Sequence, residues 1–228
     1  MLYTTQGVVL HHIKYRETSI IAKIFTEVLG LQTYIIQSVR AKSPRYSMSL
    51  FQPLTRLDMV VYYKKQRSIQ RVAEVQNYAP NDNILANIKK AAIAIFLSEL
   101  LSKVIHEEER NTPLFNFLWL EIMHLNKQAA DYEFFYLTFM LQLSHYLGFG
   151  ISSVQDIYAQ LRRSGQHWDI DKKALDKLNE LLTGQEHGSI KMDKHTTRHV
   201  TELVVKFYQL HIASLNHLKS LKILQEIN

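Results

Sequence analysis

A chain of 228 residues, 46% hydrophobic and 21% charged, can bury one large core or two modest ones and is too apolar to be disordered. It contains no cysteine, which excludes disulfides, thiolate metal sites and a thiol nucleophile and fits a reducing cytosol. The net charge of +6 is uneven: residues 1–80 carry eleven Lys or Arg against four Asp or Glu (+7), and 81–228 carry 16 against 17. Such a basic segment signals either a polyanionic partner or a solubility charge.

Residues 4–77 predict strands. Val8, Val9, Leu10 and Ile13 open a β-rich run, and Ile20, Ile21, Ile24 and Phe25 form a second. A turn at Leu29-Gly30 leads to a third run with Tyr34, Ile35, Ile36 and Val39. After the polar loop 41–45, residues 50–63 predict a fourth strand, and Lys64-Lys65-Gln66-Arg67 a hairpin turn into a fifth at 68–76. Five short strands in so short a stretch predict a small barrel, an OB-fold or an SH3-like barrel.

Pro80 ends the strand region, and Asn81 or Asp82 is placed to cap the helix that follows. Leu85, Ile88, Ala92, Ile95, Phe96 and Leu100 predict a helix over 83–106. Thr112-Pro113 starts a second helix, running to about 126. A third, 131–147, is apolar on nearly every side, as a centrally buried helix is, and Gly148 is its left-handed cap. It is too short and too polar for a membrane span. Residues 151–170 read as irregular, with helices at 171–183, 194–212 and 215–226. The predicted architecture is α+β: a β-barrel domain over 1–79, then an all-helical domain over 80–228. The N-terminus shows no signal-peptide pattern, so the expectation is a soluble, cytoplasmic protein without membrane contact.

In the basic half, cations alternate with aromatics: Lys14-Tyr15-Arg16, Tyr34 ahead of Arg40, Arg45-Tyr46, and Tyr62-Tyr63 before Lys64-Lys65. Single-strand binders combine cations along the phosphates with aromatic faces that stack bases. Arg40, Lys42 and Arg45, crowded into one loop, are the leading candidates for DNA contact. Lys64, Lys65 and Arg67, then Lys14 and Arg16, extend the set. The competing reading is a strand surface where Lys and Arg stems cover tyrosines. His195 and His199 have helical chelate spacing, but no Glu lies between them in a zinc-protease pattern and no cysteine adds a ligand, so no metal site is expected. His11 and His12 point to opposite faces of a strand, and Glu107-Glu108-Glu109 reads as a solvated loop. No phosphate-binding glycine loop and no Gly-x-Ser-x-Gly elbow occur, so no catalytic residues and no cofactor are expected.

Residues 6–30 resemble the opening of the RecO family of bacterial recombination mediators, on Tyr15, Glu17, Phe25, Thr26 and Gly30. The resemblance continues through Gln37-Ser38-Val39-Arg40-Ala41-Lys42-Ser43, through Leu50-Phe51-Gln52-Pro53-Leu54 with Leu57-Asp58, and through Asn111-Thr112-Pro113-Leu114-Phe115 and Leu147-Gly148-Phe149. It covers the whole chain in order. Many members carry a four-cysteine zinc module after the Leu-Gly-Phe position; residues 150–190 here hold no cysteine, as in Bacteroidetes-like members. The resemblance implies an N-terminal OB-fold, a helical C-terminal domain and a non-enzymatic role in DNA repair at the nucleoid. The implied partners are single- and double-stranded DNA, RecR (and in some members RecF), RecA, and the acidic C-terminal tail of single-stranded-DNA-binding protein. Arg162, Arg163, Lys172 and Lys173 are candidates to meet that tail. An OB-fold RNA-binding factor is the alternative.

Overall fold

The computed structural model describes residues 1–106, 108–165, 171–183 and 190–227. The barrel strands are β1 (Leu2–Tyr15), β2 (Ser19–Thr26), β3 (Gly30–Ile36), β4 (Arg56–Tyr62) and β5 (Gln70–Asn77). They close in the order β1-β2-β3-β5-β4, with β3 and β5 parallel and the other pairs antiparallel. This closed five-stranded barrel bears out the OB-type expectation. Strand β1 serves two neighbours: Leu2–Val8 pair with β4, and Gly7–Tyr15 with β2. Gly7 sits at the crossover, where a Cβ would come within 2.7 Å of Ile24 Cγ2 and 3.0 Å of Met59 Sδ. A larger residue would push those core side chains apart.

Alternation decides what each strand faces. Val9, Ile20, Ala22, Ile24, Tyr34, Ile36, Leu57, Met59 and Val61 fill the barrel. The fourth strand starts later than the sequence suggests. Residues 48–51 form one 3₁₀ turn capped by the Ser47 hydroxyl, and Phe51 is fully buried against the barrel core. Pro53 and Leu54, the latter at φ +60, then turn the chain before the strand begins at Arg56.

The helices are α1 (Asp82–Ala86), α2 (Ile88–Val104), α3 (Thr112–Lys127), α4 (Phe135–Tyr146), α5 (Val154–Arg163), α6 (Lys172–Leu182), α7 (Lys194–His211) and α8 (Ser220–Ile227). The long helix expected over 83–106 is broken at Asn87. Its extended backbone stops α1, and its Oδ1 accepts from the amides of Lys89 (3.0 Å) and Lys90 (3.2 Å) to start α2. Asn81 stands at the N-cap position of α1, but its side chain makes no capping hydrogen bond. It is buried, and its Nδ2 donates to the Leu54 carbonyl (2.9 Å), tying the first helix to the barrel. The expected irregular stretch 151–170 contains α5, capped by Ser153, in its described part; 166–170 lie outside the described residues, as does Glu107 of the acidic run. Helix α4 begins at Phe135, four residues after the expected start, because Asp131 takes φ +57. It is buried on most sides, touching α2, α3, α6 and α7, and Gly148 follows it at φ +84.

The two halves share one core. Val8, Leu10, Phe25, Leu31 and Leu54 point out of the barrel into the helical cluster. The Ser98 hydroxyl donates to the Leu10 carbonyl, and the rings of Phe25 and Phe115 lie 6.1 Å apart. Arg56, 3% exposed, is held by aromatic faces, with its guanidinium 5.7 Å from Tyr78 and 5.4 Å from Trp119. Among the described residues, no helix is long and apolar enough to cross a membrane.

Candidate nucleic-acid interface

The outer face of β1–β2–β3 follows from strand register. Where Ile20, Ala22 and Ile24 face inward, Ile21, Lys23 and Phe25 face out. Pairing then lines up residues across three strands: Val8–Phe25–Leu31, His11–Lys23–Thr33 and Ile13–Ile21–Ile35. A bulge between Val9 and His11 keeps Leu10 on the helical side without putting His11 out of step. The first row lies beneath the helices. The other two stay accessible, with Ile13 50% exposed, Ile21 and Ile35 half-buried and Lys23 exposed. On the far edge, Ile35 pairs with exposed Arg71 of β5.

Cations rim this face. Lys14 is exposed beside Ile13, and Arg16 sits in the β1–β2 turn at φ +52, its guanidinium 5.2 Å from the Tyr15 ring centre. Arg40 is fastened to the same turn: its amide donates to the Thr18 carbonyl (2.9 Å) and its Nη1 to the Arg16 carbonyl (3.4 Å). The structure therefore brings together Arg16 and Arg40, which lie far apart in sequence. Lys64, Lys65 and Arg67 are exposed in the β4–β5 turn. Buried Gln70 fixes that turn, accepting from the Lys64 amide (2.9 Å) and donating to the Lys64 (3.0 Å) and Arg67 (2.6 Å) carbonyls. Gln70 pairs with Tyr34, so the turn lies on the β3 side of the barrel. In OB-folds the β2–β3 face and the β1–β2 and β4–β5 turns form the usual nucleic-acid surface.

Other residues are placed differently from the sequence picture. Lys42 is exposed in the loop, but Arg45 turns away to β5, where its Nη2 donates to the Ala73 carbonyl (3.0 Å) and its guanidinium lies 5.1 Å from Tyr46. There it lines a groove of about 820 Å³ with Gln6, Glu27, Asp58 and Glu74, three of the barrel's four acidic residues. Tyr34 is no stacking platform: it is fully buried inside the barrel, where burial pushes its phenol well above the usual range. His12 donates from Nδ1 to the Phe51 carbonyl (2.8 Å), while His11 is exposed on the outer face. Partial burial, with His12 and Lys23 nearby, holds the His11 imidazole below its ordinary value against the opposing pull of Glu99. Its surroundings thus disfavour the charged imidazole, and His11 is not counted among the cations of the face.

Sequence reading passed over Lys23, Arg71 and the three isoleucines. The period-2 alternation through Ile20–Phe25 was the available signal for Lys23; Arg71 and Ile35 come together only through the parallel β3–β5 pairing.

In the helical half, Arg162 and Arg163 line a pocket of about 680 Å³ with Val154, Tyr158 and Leu175, between α5 and α6. Lys172 and Lys173 do not line it. Lys173 forms an ion pair with Asp193, which raises the ammonium and lowers the carboxylate from their ordinary values.

Residues 1–80 match the family described as Recombination protein O N terminal, and residues 85–158 match Recombination protein O C terminal. The chain is 31% identical to the DNA repair protein RecO of Bacteroides fragilis, over 100% of this chain and 99% of that protein. It is 31% identical to the DNA repair protein RecO of Flavobacterium psychrophilum over the same shares. The chain belongs to the RecO family. RecO of Chlorobium limicola is 30% identical over 70% of the chain and 60% of its own length. The two family matches meet near the step from barrel to helices: β5 ends at Asn77 and α1 starts at Asp82. As a member of the RecO family, the chain is a DNA repair protein.

Proposed function

We propose that this chain acts in repair as a non-enzymatic DNA-binding mediator that anneals complementary strands and, with RecR, helps RecA load onto DNA coated by single-stranded-DNA-binding protein. The observation that carries the reading is the composition of the accessible β1–β2–β3 face. Its charged side chains are cationic apart from Glu17 in the β1–β2 turn, its floor is isoleucine, and its aromatics lie at the rim: Tyr15, half-buried beneath Arg16, and Tyr62, 54% exposed beside Arg71. Such a face holds the sugar–phosphate backbone through its cations over an aliphatic floor, with any base stacking confined to its rim. Phosphate contact alone is independent of sequence and serves single and double strands alike. It also leaves base edges free to pair, as annealing requires, while cations reduce the repulsion between two incoming strands.

In this reading Lys14, Arg16, Lys23, Arg40 and Arg71 contact phosphates across the face. Lys42 and the turn residues Lys64, Lys65 and Arg67 extend the track, while Arg45, held in the acidic groove, would reach a phosphate only by leaving the Ala73 carbonyl. With about five phosphates neutralised, log K for a single strand falls against log salt with a slope of roughly −3.5. The α5–α6 pocket, lined by Val154, Tyr158, Ala159 and Leu175 together with Arg162 and Arg163, suits an acidic, apolar peptide such as the tail of the coating protein.

The deciding measurement is the annealing rate of complementary strands covered by single-stranded-DNA-binding protein. Acceleration by the chain is expected. No acceleration, or a flat salt response in anisotropy on a labelled oligonucleotide, would overturn the reading. Preferential competition by structured RNA would instead favour an RNA-binding factor. Arg162→Ala with Arg163→Ala should abolish binding of the labelled tail peptide and leave the salt slope on DNA unchanged.

A further inference from the structure

The helix pair α6–α7 brings together three ligating side chains that the sequence keeps in separate segments. His195 and His199 stand one turn apart at the start of α7, with ring centres 4.1 Å apart. Asp171, the N-cap of α6, joins them: one donor atom from each of the three lies within 4.8 Å of the others. We propose that Asp171, His195 and His199 form a binding site for a divalent ion of the zinc type, which clips the start of α6 to the start of α7.

Two imidazoles and one carboxylate are a borderline-soft nitrogen–oxygen set, which suits zinc and its first-row neighbours better than magnesium or calcium. Tetrahedral zinc with bonds of about 2.0–2.1 Å places its ligand atoms roughly 3.3 Å apart. Asp171 and His195 are exposed and His199 is half-buried, so side-chain rotation can supply that contraction without moving a helix. A fourth position stays open to water.

The carboxylate is already oriented. Asp171 Oδ1 accepts from the Lys173 amide (3.1 Å), which leaves Oδ2 for an ion. Such an outer hydrogen bond commonly fixes a metal ligand. Neighbouring cations are directed elsewhere. Lys173 pairs with Asp193, and Lys194 and Arg198 line a separate cleft with Tyr136, Thr201 and Lys222 on another side of α7. Judged along the sequence, the histidine pair lacks a third ligand; the packing of α6 on α7 supplies one.

The test uses the full chain, stripped with a chelator and titrated calorimetrically with zinc chloride. One ion per chain is expected, and magnesium chloride should give no binding heat. Asp171→Asn keeps the helix cap, because asparagine caps as well as aspartate, yet removes the anionic ligand. It should weaken zinc by more than the roughly 10–100-fold that loss of an outer-shell partner costs. His195→Ala with His199→Ala should abolish binding, and His124→Ala, at an exposed site on α3, should leave it unchanged. Cobalt(II) gives a second readout: visible bands of a four-coordinate ion in the wild type, lost in Asp171→Asn. The proposal is overturned if zinc does not bind, if Asp171→Asn binds it as the wild type does, or if His124→Ala weakens it equally.

Discussion

The barrel shows solvent two outer surfaces that share strand β1. Its first half, with Thr4 and Gln6, lies beside Asp58, Val60, Glu74 and Gln76, and Glu27 completes an acidic groove. Its second half, with His11 and Ile13, lies beside Lys23, Ile21, Thr33 and Ile35, rimmed by Lys14, Arg16, Arg40 and Arg71. The +7 of the first 80 residues is therefore not a uniform coat. Three of the barrel's four carboxylates gather on one side and only Glu17, in the β1–β2 turn, stands among the cations of the other, so a polyanion approaches from one direction. Helices then cover the lower part of the basic side, so that face is half core and half ligand surface.

The strongest way to break this contrast is to attack the covered part. Phe115→Ala removes a side chain 2% exposed that lies against Phe25, and should cost about 3–5 kcal/mol. Because Val8, Leu10, Phe25 and Leu31 belong to the helical core, urea unfolding followed by barrel and helix probes should shift as a single transition. Separate transitions would show that the shared core does not couple the halves.

Next in size, the exposed part should carry DNA affinity. Alanine at Arg16, Lys23 and Arg40 together should lower single-strand affinity on the order of 100-fold near 0.1 M salt and flatten the salt slope by about 2. Glu27→Ala with Glu74→Ala, in the acidic groove, should leave that slope unchanged. Equal effects from both variants would remove the distinction between the surfaces.

A smaller effect tests how a carboxylate close to His11 on the basic face is engaged elsewhere. Glu99 of α2 accepts from the Lys219 amide (3.1 Å), the Ser220 amide (2.8 Å) and the Ser220 hydroxyl, at the start of α8. Burial opposes its charge, but these bonds and Lys103 outweigh burial and hold the carboxyl below its ordinary value. The stability it contributes is full above the ordinary carboxylate range and is lost as pH falls through the lowered value. Glu99→Gln should cost about 1–2 kcal/mol at neutral pH, allowing for partial solvent screening. It should also flatten the acid limb of a stability–pH curve measured by thermal unfolding. Smallest of all, His11→Ala should leave DNA affinity at pH 7.5 nearly unchanged, because partial burial and the neighbouring His12 and Lys23 disfavour the charged imidazole.

Local chemistry carried much of the fold. Alternation in Ile20–Phe25, the turn at Leu29-Gly30, the stop at Pro80, Thr112-Pro113 and the left-handed Gly148 act over a few residues, so they are legible along the chain. So is the charge split at residue 80, which is a count. Errors arose where a distant partner overrode a local preference. Asn81 has a capping side chain but uses it on Leu54, and Phe51 belongs to a plausible strand but plugs the barrel from a 3₁₀ turn. Tyr34, which follows Gln32-Thr33 and precedes Arg40 by six residues, is wholly interior.

The sequence by itself determined a basic barrel followed by a helical half of near-zero net charge, because composition and periodicity are properties of neighbours. Tertiary structure alone decided which cations share a surface. Register set Lys23 beside His11 and Arg71 beside Ile35, and hydrogen bonds sent Arg40 to the β1–β2 turn and Arg45 to the acidic groove. It also decided that Asp171 meets His195 and His199. Barrel closure and helix packing bring together residues far apart in the chain, and that distance is what a pattern read along a sequence does not carry.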